Sequence, residues 1–143
     1  MTSGIIEILI ENSIVATLVG VDEQSVVKVY PFIAPQKVKQ PYILVSEISV
    51  SPTLSKGCIS DLDFATYQVN CYGLSFYDME VLQEACRNAL DTGAGFTTDA
   101  GAEFGSVYMT NRQDLFFQID GSEKGGLYVK SGTYQADIKR VIT

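Results

Sequence analysis

The N-terminal stretch from Gly4 to Val19 places apolar residues at the spacing of a helix with one broad apolar face. In its middle, Asn12 and Ser13 can hydrogen-bond backbone groups, so we expect a kink or break there. Ser13 is then expected to cap a second short helix that ends at Gly20. Because Ile and Val favour strands, a strand is the competing interpretation for residues 5–10.

Prolines divide the next part of the chain. The residues before the first of them, Val26 to Tyr30, have the composition of a strand. A second strand is predicted for Tyr42 to Val50, whose second half becomes half-polar. Proline removes a backbone donor and excludes a helix, so the prolines are expected to keep the intervening chain extended and to stop the second strand. They are Pro31, Pro35, Pro41 and Pro52.

A polar stretch and another strand follow. Ser51 to Asp61 is rich in Ser, Gly and Thr and is predicted to be a long hairpin connection or a projecting loop. Apolar and polar residues then alternate in Phe64 to Tyr72, which predicts a strand antiparallel to the preceding one. Ser75 and Asp78 have the spacing of a capping box, so a helix is expected to begin there.

This helix is predicted to be amphipathic and to end at Gly93. Its apolar residues at helical spacing are Met79, Leu82, Ala85, Cys86, Ala89 and Leu90. Its polar residues, expected to face water, are Glu80, Gln83, Glu84, Arg87, Asn88 and Asp91. A loop rich in Gly, Ala and Thr is predicted from Thr92 to Gly105.

Three β-rich runs complete the chain: Ser106 to Arg112, Leu115 to Ile119, and Leu127 to Ile142, the last with a bend expected at Gly132. Together the elements predict an α+β fold. It contains an antiparallel sheet of about four to six strands, with an N-terminal helix and one main amphipathic helix packed on it. No internal repeat or composition break is present, so residues 1–143 are expected to form a single domain.

Composition then narrows the functional class. Seventeen acidic residues against ten basic ones give a net charge of −7, which disfavours direct nucleic-acid binding. The chain has no His and no phosphate-binding glycine loop, so nucleophilic catalysis would lack its usual base. We therefore expect no enzymatic activity, no cofactor and no metal. A small-molecule binding domain or enzyme, and a generic interaction module, stay open as alternatives.

The cysteines and the N-terminus favour a reduced, cytosolic place of synthesis. Cys58, Cys71 and Cys86 have spacings of neither a zinc ribbon nor a redox dithiol, and we expect Cys71 and Cys86 to be small buried residues. The N-terminal apolar run contains Glu7 and follows no basic region. Neither a signal peptide nor a membrane span is therefore predicted.

The strings YPFIAPQKVKQPYILVSEIS and FATYQVNCYGLSFYDMEVLQEACRNAL resemble the tail-completion, or tail-terminator, family of tailed bacteriophages, a family of minor tail proteins. The resemblance lies in the order of its parts over about the first ninety residues. A helix ends in Leu-Val-Gly, and Tyr-Pro and Pro-Tyr pairs precede a strand. A polar loop, a strand ending in an aromatic-Gly pair, and a helix starting Ser-x-x-Asp follow.

The resemblance implies a structural virion protein whose protomers form a ring, commonly a hexamer, at the head-proximal end of the tail tube. The ring caps the tube and joins it to the head connector, after assembly in the host cytoplasm. The implied partners are further copies of the chain, the tail tube protein and the head–tail connector proteins, with no membrane. A neck or head-completion protein, or a component of a contractile-tail particle, is the alternative within virions.

Two sets of residues are candidates for these contacts. Net acidity suits a ring around a DNA channel, because repelled phosphates slide without specific binding. The candidates for the lumen are Asp61, Asp63, Glu80 and Glu84. Adjacent strand residues point to opposite faces, so Phe116 and Phe117 cannot both lie in one core layer. The interface candidates are Pro35, Lys37, Lys39, Leu54, Lys56, Phe116 and Phe117.

Overall fold

A computed structural model describes residues 2–33, 41–55, 58–91, 96–97, 103–118 and 126–139. Within these ranges the chain forms three helices and six strands. The helices are α1 (Thr2–Glu11), α2 (Ser13–Val19) and α3 (Phe76–Leu90). The strands are β1 (Val29–Pro31), β2 (Tyr42–Ser55), β3 (Cys58–Gly73), β4 (Phe96–Thr97), β5 (Glu103–Gln118) and β6 (Gly126–Lys139).

The six strands form one sheet in the order β1-β2-β3-β6-β5-β4. All neighbouring strands pair antiparallel except β1 and β2, which are parallel, with Val29 opposite Ile43. The core contains residues from all three helices and from β1, β2, β3, β5 and β6. The predicted α+β class is confirmed, and the parallel β1–β2 pair makes the sheet mixed.

The N-terminal helix is broken where predicted, but by a different cap. Asn12 has an extended backbone, and its Oδ1 accepts hydrogen bonds from the N–H groups of Ile14 and Val15, each at 3.1 Å. Ser13 is therefore the first residue of α2 rather than its cap. An Asn side chain has this capping geometry and satisfies donors that a helix start leaves free. The strand interpretation of residues 5–10 is wrong.

The polar stretch from Ser51 to Asp61 is largely strand rather than loop. Strand β2 continues to Ser55 and β3 starts at Cys58, and these two residues pair with each other near the hairpin end. Pro52 does not stop β2, because it lies at a register shift of the β2–β3 ladder. Within the described residues, the short β1 pairs only with residues 43–45, so β2 has no strand on its outer side at Pro52 and tolerates the missing donor.

Strand β5 is continuous from Glu103 to Gln118, so the predicted break near Asp114 is wrong. Asp114 lies in register with Lys130 of β6, and the cross-strand ladder carries the chain through this polar position. The predicted loop from Thr92 to Gly105 also contains the short β4 and the start of β5. In β6, a Cβ added to Gly132 would lie 3.1 Å from Tyr134 Cε2, so glycine here makes room for the tyrosine ring.

Helix α3 packs its apolar residues against the sheet as predicted. Ser75 Oγ accepts a hydrogen bond from Asp78 N–H at 3.4 Å, which confirms the predicted N-terminus. The helix ends at Leu90, before Gly93, with Asp91 as its C-cap. Gln83 is buried rather than in water, because α1 and α2 also pack on α3 and widen its covered face.

Two thiols meet between α3 and the sheet. Cys71 of β3 and Cys86 of α3 are both buried and both free, as the sequence predicted. A hydrogen bond with Cys71, followed by burial, raises the pKa of the Cys86 thiol. The Cys86 thiol is therefore a neutral packing group rather than a reactive thiolate.

Asp22 organises the turn that leads into β1. Its Oδ1 accepts hydrogen bonds from the N–H groups of Gln24 (2.9 Å) and Val26 (3.0 Å), and its Oδ2 accepts one from the Tyr30 hydroxyl at 2.9 Å. The Val26 bond contributes most to lowering the pKa of Asp22 below 3.8. Burial, followed by the bond to Asp22, raises the pKa of Tyr30 to about 12.

Replacing Asp22 with alanine is expected to lower the thermal midpoint by a few degrees at neutral pH. Because the folded pKa lies below 3.8, the stabilisation is complete above that value and is lost as the pH falls through the folded pKa. The difference between Asp22→Ala and wild type should therefore shrink between pH 7 and pH 2. Thermal unfolding across this range tests it, with the exposed neighbour Glu23→Ala as control. A difference that does not change with pH would contradict the assignment.

Candidate assembly surfaces

The structure describes only part of the predicted interface. Pro35, Lys37, Lys39 and Lys56 lie outside the described residues. Leu54 lies in β2 opposite Ile59, and Phe117 lies in β5 opposite Leu127. Phe116 is the interface candidate whose side chain is described, and it is 54% exposed.

Phe116 belongs to a half-exposed aromatic cluster beside the N-terminus of α3. Its ring centroid is 4.8 Å from that of Tyr128, which in turn meets Phe76 edge-on at 5.8 Å. Beneath them, Lys130 is buried with its Nζ 3.9 Å from the centroid of the Phe76 ring. The same Nζ is 2.8 Å from Asp114 Oδ1. A cation–π contact and an ion pair thus fix a platform of exposed rings.

The lumen candidates do not form one exposed surface. Glu80 and Glu84 lie one turn apart on the exposed side of α3, and Glu84 Oε1 accepts a hydrogen bond from Arg112 Nη1 at 3.0 Å. Asp63 is buried on β3 opposite Ile138, whereas Asp61 lies two residues earlier on the same strand. Only Glu80 and Glu84 are therefore shown at a solvent-facing position.

A groove between α2 and the N-terminal end of α3 has a volume of about 660 Å³. Its exposed apolar walls come from Leu18, Leu74, Tyr77 and Val81, and Asp78 adds one acid. We call it the α2–α3 groove. The sequence did not single out these residues, because helical spacing alone does not separate a packed apolar residue from an exposed one.

The chain after β1 exposes two large apolar residues in succession. Phe32 is 60% exposed and Ile33 is 80% exposed, and we call them the Phe32–Ile33 tip. Phe32 has φ +58°, a left-handed conformation that is unusual for an aromatic residue. Its N–H donates to Val45 O at 3.1 Å, so the strained residue is anchored to β2.

Most of the outer edge of β5 has no strand beside it in the described chain. Strand β4 pairs only with Glu103 and Phe104, and the residues from Thr110 to Phe116 are all exposed. An unpaired strand edge is a template for pairing with another chain.

On the face of the sheet without helices, Tyr42 of β2 stacks on Tyr72 of β3, with 5.1 Å between the ring centroids.

The described residues contain no group of three or more His, Cys, Asp or Glu side chains placed to hold a metal ion. In the same ranges, no helix has both the length and the apolar character needed to cross a membrane.

Comparison with known proteins finds a similarity in three-dimensional structure. No protein-family model matches the sequence, and no curated protein matches it. A solved chain from the structure titled "Virion of native gene transfer agent (GTA) particle" superposes with a TM-score of 0.70 at 12% sequence identity. The two chains share a fold. The similarity covers 97% of this chain and 94% of the other, so it includes the helical layer and the sheet together.

Replacing Phe116 with alanine is expected to weaken assembly while leaving the fold intact, because its ring is half-exposed and contacts only the rim of the core. Leu115→Ala is the matched control, because Leu115 is the neighbouring exposed apolar residue and points to the opposite face of β5. Phe117→Ala tests the second candidate. Solution mass and thermal unfolding of each variant are compared with wild type, and normal assembly of both phenylalanine variants would remove them from the interface.

Proposed function

We propose that the chain is a non-enzymatic structural protein of a virion that forms a closed ring, most simply a hexamer. The ring caps the end of a tail tube and joins it to the head connector. The observation that carries the proposal is the fold, which matches a chain of a gene transfer agent virion over nearly its whole length. The order of sequence elements, which resembles the tail-terminator family, is independent support.

The surface of the chain is suited to assembly. The α2–α3 groove, the Phe32–Ile33 tip and the Phe116 cluster expose apolar side chains at three places on the described chain. Each is a patch of the kind that marks protein contact sites. Such contacts, repeated around an axis, stop growth when the rotation closes, which is what capping a tube requires.

The acidic side of α3 is proposed to face the DNA channel through Glu80 and Glu84, with Asp61 of β3 contributing nearer the hairpin. Asp63 is buried in the single chain, so it is not part of this proposal. Carboxylates along a lumen repel DNA phosphates, so the polymer passes without being held. A structure of the assembled ring tests this placement. Finding these three carboxylates on the outer circumference would reject it.

Tube growth tests the proposed role. Tail tube protein is allowed to polymerise with and without the purified chain, and tube lengths and ends are measured by electron microscopy. We expect shorter tubes with a ring at one end only. Binding to connector proteins but not to tubes would instead support the alternative role, a neck or head-completion protein. A chain that binds neither would contradict both.

A further inference from the structure

We propose that the ion pair between Glu84 and Arg112 lies on the wall of the DNA channel, where Glu84 keeps Arg112 from binding the phosphates of passing DNA. The inference rests on the proposed function, because it takes the outer side of α3 to face the lumen. It adds a basic residue to that wall and gives Glu84 a role that Glu80, one turn earlier on the same helix, does not have.

Arg112 belongs to the same surface as the two carboxylates. Its Nη1 lies 3.0 Å from Glu84 Oε1, and the side chains of Arg112 and Glu84 are 55% and 49% exposed. Glu80, Glu84 and Arg112 also line one open hollow of about 570 Å³ beside α3. Any placement of Glu80 and Glu84 on the channel wall therefore brings Arg112 to the wall with them.

A β-bulge in β5 turns Arg112 toward α3. The register with β6 shifts between Met109 and Asn111, so Thr110 is an extra residue in β5. Before the shift, the odd-numbered Val107 and Met109 face the helices, where Val107 is in the core and Met109 packs against it. After the shift, the even-numbered Arg112 faces them and reaches α3. Without the bulge, strand alternation would point Arg112 to the opposite face of the sheet.

An arginine without a carboxylate beside it on this wall would hold DNA rather than let it pass. Its guanidinium stays charged at physiological pH and binds a phosphate through two parallel N–H groups. A ring presents one such group from every copy, and each phosphate contact adds to a salt-dependent affinity for DNA. Because the Glu84 carboxylate accepts a hydrogen bond from Arg112 Nη1 and cancels its charge, passing phosphates meet a neutral pair.

Two neighbouring cations are matched in the same way. Arg87 of α3 has its Nε 3.5 Å from Asp91 Oδ2, and Lys130 of β6 has its Nζ 2.8 Å from Asp114 Oδ1. Asp114 lies two residues after Arg112 on the same face of β5. Each of these cations is thus presented beside a carboxylate, an arrangement that suits a wall along which DNA slides.

The alternative is that the ion pair only ties α3 to β5. Exposed ion pairs contribute little to stability, because water and salt screen both charges. Loss of the pair should therefore leave the thermal midpoint nearly unchanged, whereas loss of the proposed role should change how rings retain DNA. DNA retention, rather than stability, is thus the measurement that separates the two roles.

Two single variants change the net charge equally but differ in the ion pair. Glu84→Gln removes the carboxylate, keeps the length of the side chain and leaves Arg112 charged. Glu80→Gln is the matched control, because it removes one acid a turn earlier on α3 and leaves the ion pair in place. Gln and Glu have similar helix propensities, so α3 should persist in both. The double variant Glu84→Gln/Arg112→Gln removes the cation as well and should behave like wild type.

Closed rings of each protein, free or on tail tubes, are incubated with linear double-stranded DNA or with closed-circular DNA of the same sequence, which a closed ring cannot thread. Co-sedimentation measures the DNA retained. Rings of Glu84→Gln should retain at least about tenfold more linear DNA than wild type at low salt, whereas Glu80→Gln and the double variant should not. For about six phosphate contacts, the affinity should fall roughly 10³-fold between about 50 and about 200 mM salt.

Retention of linear but not closed-circular DNA, by Glu84→Gln alone, supports the inference. It is overturned by no added retention in Glu84→Gln, by equal retention in Glu80→Gln or the double variant, or by retention of closed-circular DNA. In these cases tube capping by the wild type leaves the proposed function standing. Loss of rings in Glu84→Gln but not in Glu80→Gln would show that the pair serves assembly, and would overturn the inference as well. A wild-type chain that forms no ring in solution or on tubes would overturn the proposed function and the inference together.

Discussion

Replacing Tyr134 with alanine is expected to lower the free energy of unfolding by about 3–5 kcal/mol, the usual cost of removing a fully buried aromatic ring. Tyr134 is buried in β6, where it lies opposite Tyr67 of β3 and covers the space left by Gly132. Strand β6 lies between β3 and β5 in the sheet, so Tyr134 packs near the centre of the core. The measurement is urea unfolding, monitored by circular dichroism.

Tyr134→Phe, which keeps the ring, is the matched control, and its free energy of unfolding should not fall. The Tyr134 hydroxyl is buried and has no hydrogen-bond partner among the described residues, and burial is the first cause that raises its pKa. Removing a buried, unpaired hydroxyl while keeping the ring is expected to leave stability unchanged or to raise it by about 1 kcal/mol. A loss of more than about 1 kcal/mol in Tyr134→Phe would show that the hydroxyl is bonded in the folded protein.

The ion pair between Lys130 and Asp114 lies under the aromatic cluster, and we expect its two single variants to differ in their loss of stability. Lys130 has a side chain that is 6% exposed, whereas its partner Asp114 is 56% exposed. Asp114→Ala leaves a buried ammonium without its carboxylate and should cost about 1–2 kcal/mol, less than a fully buried pair because water reaches Asp114. Lys130→Met keeps the length of the side chain and should be close to neutral.

The double variant completes this test. Once Lys130 is methionine, Asp114→Ala should cost almost nothing, because no buried charge is left unpaired. Urea unfolding of the four proteins gives the coupling energy, which we expect to be about 1–2 kcal/mol. A coupling near zero would mean that water, rather than Asp114, stabilises the Lys130 ammonium in the folded protein.

The parts of the fold that local patterns specify were predictable from the sequence. The alternation in Phe64 to Tyr72 lies within β3, and Ser75 caps α3 as its spacing with Asp78 indicates. The polar positions around Pro52 and Asp114 were predicted to interrupt strands, but cross-strand pairing carries both strands through them. That pairing joins residues far apart in sequence, so no local pattern reports it.

The candidate assembly surfaces were less predictable for the same reason. Tyr77 of the groove is not among the predicted interface residues, and only the packed arrangement of α2 and α3 shows that its ring is exposed. Phe32 has no sequence signal for a left-handed backbone, since that conformation normally selects glycine or asparagine. Phe116 was predicted as an interface candidate because neighbouring strand residues must point to opposite faces, and the structure shows its ring half-exposed. Its role in an interface stays a prediction.

We propose that this chain closes into a ring that caps a tail tube. Its most direct test is electron microscopy of wild-type chain with polymerising tube protein, combined with the mass of the wild-type protein in solution. We expect a ring at one end of each shortened tube and a closed oligomer of the same subunit number in solution. A chain that stays monomeric at all concentrations, and leaves tube length unchanged, would contradict it.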